Sequence, residues 1–172
     1  MENSALCVGV LVVFFFADNL FALRLKSLGI VPRTWHGLGG VLFSPLLHVN
    51  LAHLVANASS LFVLLILLFW DRKYQGWLAI AFIWALSGMG TWLIGRPSLH
   101  IGASSLVYGL VTYLIAAGFW WQTWRSAFTA LLVLVIYGGI FYGILPQAGF
   151  ISWEGHLSGA IAGWWAARHL HR

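Results

Sequence analysis

Apolar runs of helix length follow one another through the whole chain, and no other feature restricts its fold so severely. Between polar or Gly/Pro punctuation they fall near residues 5–23, 51–69, 77–95, 104–121, 127–145 and 154–169, each close to the ~17–25 residues that carry a helix across a hydrocarbon core. Lipid offers the backbone no hydrogen-bond partner, so such segments satisfy their own N–H and C=O groups as helices. The sequence therefore predicts an all-α fold, a polytopic membrane bundle of six transmembrane helices forming a single domain over residues 1–172. The first run lacks a basic leader and a small-residue cleavage site, which makes it a retained span rather than a signal peptide.

Composition excludes the soluble alternatives. Hydrophobic residues make up 61% of the chain and charged ones 8%, against roughly 25% charged in soluble domains. The formal charge of +5 comes from basic residues scattered among loops. They form no stripe or cluster for nucleic acid, so anionic lipid headgroups are the expected charged partner. Trp70, Trp77, Trp120, Trp121, Trp124 and Trp153 stand at the ends of apolar runs, where indole rings suit the membrane interface. Cys7 is the only cysteine, which excludes an intramolecular disulfide. His36, His100, His169 and His171 fall in loops or the tail and are expected to be solvated or interfacial. No helix offers a tight ligand pair with a carboxylate, and neither a metal nor a cofactor is expected.

Six crossings put both termini on one side. Arg72, Lys73, Arg125, Arg168 and Arg172 then share that side, against Arg24, Lys26, Arg33 and Arg96 on the other, a balance that selects no orientation. Residues 24–50, with Pro32, Pro45, Trp35 and several glycines, are too long and too apolar for a plain linker. They are expected to fold at the interface and pack on the helices.

Polar residues inside spans are costly and mark function by default. His53 and Asn57 lie four residues apart on one face of the second span, with His48 just before it. Gly102-Ala103-Ser104-Ser105 opens the fourth span and Gly155-His156 the sixth. The second, fourth and sixth spans run in the same direction, so their N-terminal ends share one side of the membrane. His53, Asn57, Ser104 and His156 accordingly lie at similar depth, which points to one polar pocket.

Ser105 and Gly109 in the fourth span, with Gly155, Gly159 and Gly163 in the sixth, form small-residue faces that allow close helix approach. That approach brings Ser104 towards His156. A serine hydroxyl becomes nucleophilic when a histidine within about 2.6–3.2 Å takes its proton. The backbone N–H of Ser104, His53 and Asn57 are candidate donors to the resulting oxyanion. Glu154, two residues from His156, faces away on a helix, so the expected unit is a dyad.

At these residues the chain resembles the rhomboid family of intramembrane serine proteases, over all six spans. His48-Val49-Asn50-Leu51-Ala52-His53-Leu54-Val55-Ala56-Asn57 resembles the family's HxxxxHxxxN, Gly102-Ala103-Ser104-Ser105 its GxSG, and Gly155-His156-Leu157-Ser158-Gly159-Ala160-Ile161-Ala162-Gly163 its HxxGxxxG. The resemblance implies Ser104 as nucleophile, His156 as general base, and His53 and Asn57 as oxyanion stabilisers. It further implies Gly102 and His48 as supporting residues and Tyr108 as the aromatic packed on the base. The first loop is similar to that of a bacterial branch, implying a bacterial inner membrane protein whose site opens to the outer face. Ser105 stands where the family usually has glycine and could crowd the nucleophile, and the Trp-Arg pair some members carry in the first loop is missing.

The function expected is cleavage of another protein's transmembrane helix through an acyl-enzyme on Ser104. The alternative is a catalytically silent rhomboid-like protein that binds transmembrane helices. A small-solute transporter would need paired inverted repeats with broken helices, and no such repeat is visible.

Overall fold

Leucine, valine, isoleucine and alanine fill the spans without periodic interruption, and the computed structural model, which describes residues 1–147, 149 and 151–170, turns them into helices. His171 and Arg172, weighed above, lie outside the described residues. The long helices are α1 (Glu2–Phe21), α3 (Leu51–Trp70), α4 (Gly76–Ile94), α5 (Ser104–Trp121), α6 (Trp124–Tyr137) and α7 (Trp153–His169); a short α2 (Trp35–Phe43) lies in the first loop. Among the described residues five segments are long and apolar enough to cross a membrane, and the chain is a multi-pass, helical membrane bundle. The last helix, α7, falls outside that group because it has 17 residues and carries Glu154, His156 and Arg168 near its ends. One face of α7 runs against α4 and α5 and buries Glu154 and His156, while Arg168 stays exposed near its end.

The observed ends follow local chemistry. Asn50 caps α3 by accepting from the His53 N–H at 2.8 Å, and α6 opens with a reciprocal Thr123–Ser126 capping box. The fifth expected span is α-helical only to Tyr137 and continues as a tighter 3-10 helix over Gly138–Ile144. Burial sorts the helices more sharply than hydropathy does: 72% of the α5 span is buried inside the protein, against 11% for α1 and 11% for the segment containing α6. The core is thus α5, enclosed by α3, α4, α6 and α7, with α1 laid against α3.

The α5–α7 contact is made by backbone. A β-carbon on Gly159 would run into the Ser105 carbonyl, and one on Gly163 into the Gly109 carbonyl. Thr112 Oγ1 then donates across the seam to the Ala160 carbonyl at 2.9 Å. Gly155 differs from its expected partners, since it faces Ser152 and Thr91 rather than α5.

The first loop packs on the helices through hydrogen bonds. Thr34 caps α2, accepting from Gly37 N–H. Trp84 and Trp92 of α4 donate to the carbonyls of Val41 and Thr34 at 3.0 and 2.9 Å. Arg33 donates to the carbonyls of Leu93 and Gly95 at the end of α4. Ile30 pairs with His100 as a single antiparallel bridge. One expected interfacial tryptophan is displaced from that role: Trp121 is 7% exposed and donates to the Ala167 carbonyl at 3.1 Å, so it is a core residue.

Candidate active site

The first turns of α3, α5 and α7 meet at one end of the bundle around a cavity of about 600 Å³, lined by His53, Asn57, Ser104, Tyr108 and His156 among others. Ser104 is the first residue of α5, and no side chain caps this helix. Its leading N–H groups therefore lack intrahelical acceptors and add partial positive charge beside the hydroxyl. Ser104 Oγ lies 3.0 Å from His156 Nε2.

The other nitrogen of His156, Nδ1, lies 3.0 Å from the Gly143 carbonyl. A carbonyl only accepts, so Nδ1 holds the ring proton and Nε2 of the neutral ring presents its lone pair to the Ser104 hydroxyl. Tyr108 lies flat on the imidazole, with ring centroids 4.1 Å apart and planes inclined by 8°. Proton distribution and ring orientation are thus set by a backbone carbonyl and an aromatic face. No carboxylate takes part: Glu154 is turned to Arg96, with Oε1 2.5 Å from Arg96 Nε. The sequence held no signal for Gly143, because a carbonyl is common to every residue and only the 3-10 turn aims this one.

Opposite the pair stand His53 and Asn57. Asn57 is buried, and its Nδ2 has no hydrogen-bond partner within the protein. A buried donor of this kind costs about 1–3 kcal/mol, which makes it a place where a transient acceptor is stabilised. Gly102 explains how these side chains come so near the start of α5. Its φ of +120° disfavours any L side chain, and a β-carbon there would lie 2.6 Å from His53 Cε1 and 2.8 Å from Nε2. Its N–H is fixed by the Ser44 carbonyl at 2.8 Å.

His48 packs edge-on against His53, with centroids 5.2 Å apart. It is 1% exposed, and burial, with a smaller contribution from His53, pushes its pKa down to about 4. Ser105 does not crowd Ser104, because its hydroxyl turns to α4, 3.5 Å from Ser87 Oγ. Gly109 faces Ile83 and the Gly159 carbonyl, at the helix seam rather than the cavity.

Of the remaining described histidines, His36 and His169 are exposed, in keeping with the solvated or interfacial role expected of them, whereas His100 departs from it. His36 is exposed at the start of α2. His169 stacks on Trp165 with centroids 3.9 Å apart. His100 is 4% exposed and bonded to Ser152. Among the described residues no group of three or more His, Cys, Asp or Glu side chains is placed to hold a metal ion.

The Rhomboid domain profile matches residues 33–172. An uncharacterized protein of Mycobacterium tuberculosis is 43% identical over 165 residues, which cover 91% of this chain and 69% of the relative. An uncharacterized protein of Mycobacterium leprae is 36% identical, covering 85% of this chain and 61% of the relative. A protein of Acanthamoeba polyphaga mimivirus that bears a provisional rhomboid name is 32% identical, covering 90% of this chain and 82% of the relative.

Proposed function

Because the chain belongs to the rhomboid family, we propose that it is an intramembrane serine endopeptidase that cleaves the transmembrane helices of other proteins. The observation that carries this reading is the 3.0 Å contact of Ser104 Oγ with His156 Nε2 at a cavity in a membrane bundle that His53 and Asn57 also line. Ser104 Oγ attacks the scissile carbonyl carbon, and its proton passes to His156 Nε2. The oxyanion is held by Asn57 Nδ2, His53 and the backbone N–H of Ser104. Collapse breaks the C–N bond, and His156 returns the proton to the leaving amine. Water then attacks the ester with His156 as base, and release of the acid restores the Ser104 hydroxyl.

The substrate is a helix in lipid, and its scissile carbonyl must first leave its own backbone hydrogen bond. Helix-weakening residues near the end of the substrate span favour that step. The mycobacterial relatives support a bacterial inner membrane, and the likeness of the first loop to a bacterial branch supports a site opening to the outer face.

A fluorophosphonate probe on the detergent-solubilised chain tests the reading. Labelling is expected at Ser104, lost in Ser104→Ala and His156→Ala, with parallel loss of reporter cleavage. A chain that never labels at Ser104 would be a silent helix-binding relative.

A further inference from the structure

Two rim segments carry polar side chains for which the proposed reaction has no use. Residues 95–103 lead from α4 into α5 and so to Ser104, and Ile151 and Ser152 lead into α7 and so to His156. Glu154, at the start of α7, is 1% exposed, and a carboxylate buried so deeply is tolerated only when fully paired. Arg96 pairs it from α4's end: Nε lies 2.5 Å and Nη2 3.3 Å from its two oxygens, while the guanidinium also donates to the carbonyls of Gln147 and Ile151.

These bonds close into a ring that crosses between the two segments. Arg96 N–H donates to Glu154 Oε1 at 3.2 Å. The next residue along, Gly155, donates its N–H to Ser152 Oγ at 3.3 Å. His100 Nε2 lies 3.0 Å from the Arg96 carbonyl, which can only accept. In the neutral ring Nδ1 therefore accepts from the Ser152 hydroxyl, 2.6 Å away. His100 and Ser152 are 52 residues apart, the same separation as Ser104 and His156. The ring thus joins the stretches of chain that hold the reactive pair, four residues before each member.

The glycine seam fixes how closely α5 and α7 approach and Thr112 ties it to Ala160 further along, but at the cavity end the smooth backbone faces leave some freedom to slide. A rigid polar crosslink beside the site removes that freedom. We infer that Arg96, His100, Ser152 and Glu154 are positioning residues that set the register of Ser104 against His156. The kinetic consequence rests on the protease reading; the geometric one does not.

The test compares Glu154→Gln and Ser152→Ala with the parent chain in detergent. Two quantities are read: the fluorophosphonate labelling rate at saturating probe, and the His156 ring signals in spectra of ¹⁵N-histidine-labelled protein, assigned by their loss in His156→Ala. The labelling rate is expected to fall about tenfold or more in each variant, since misplacement by 1 Å can cost up to ~100-fold. The half-saturating probe concentration and the final labelled fraction are expected to stay unchanged, and the His156 signals to move. A variant that merely unfolds more easily would lower the labelled fraction instead. That outcome in both variants, or unchanged rates and unchanged His156 signals, would overturn the inference. If the parent chain never labels while the variants still move the His156 signals, the ring stands and the protease reading falls. Should Glu154→Gln fail to fold, Ser152→Ala and Arg96→Lys, which each weaken one link, carry the same comparison.

Discussion

The α5–α7 seam and the segment that begins with α6 both support the reactive pair, by opposite means. Along the seam two backbones touch through glycine, and most of α5 is buried. Along α6 most side chains face outwards, and the helix is pinned near its start, where Gly118 of α5 leaves room for Ala130 and the Ser126 carbonyl. It leads to the reactive pair through the 3-10 turn that carries Gly143. The contrast teaches that close tolerance is concentrated where side chains are missing, while the lipid-facing helix acts through the turn that follows it, by one backbone carbonyl on His156.

Gly159→Val is the severest way to break this contrast. The added side chain collides with the Ser105 backbone, and overpacking of a close contact costs ~1–3 kcal/mol or more. Loss of both Ser104 labelling and the cooperative unfolding transition is expected. A folded, fully labelled variant would show that the seam tolerates separation.

Asn57→Ala is next. It leaves the seam untouched and removes one donor, so reporter cleavage should slow by roughly 100- to 1000-fold with no change in circular dichroism. A slowing of less than threefold would remove Asn57 from the reaction.

Much of this was legible in the sequence. The apolar runs gave the spans because lipid leaves the backbone no alternative, and His53, Asn57, Ser104 and His156 stood out because polar groups are scarce there. What stayed hidden depends on where side chains or carbonyls turn. Nothing in the sequence announces that Gly143 would face His156, that Trp121 would turn inwards, or that His100 would be buried beside Ser152. Ser105 looked like an obstruction because its residue type, not its direction, was visible.

A smaller effect sharpens the description of the rim. The folded-state pKa of His48, about 4, lies below its ordinary value of 6.5, so the native state binds fewer protons than the unfolded one between these values. Stability from this residue is present above pH 6.5 and is lost as pH falls towards 4, by up to about 3 kcal/mol. Unfolding midpoints of the parent chain and His48→Gln across that window measure it, and equal slopes would exclude His48 as the source.

The smallest effect belongs to α6. Val135 is 76% exposed, and Val135→Ala should shift stability by no more than about 0.5 kcal/mol and leave the labelling rate unchanged. A large loss of rate would mean that α6 is held as tightly as the seam.

The neutral amide that orients His156 has an electrical consequence. With no anion standing behind the imidazole, the resting pair asks the bilayer to accommodate no isolated charge. Ionisation under the proposed reaction creates imidazolium and oxyanion together, a dipole of zero net charge that vanishes when the intermediate collapses. A third, permanently ionised member would have to be desolvated at all times; this arrangement confines that burden to the instant of bond exchange.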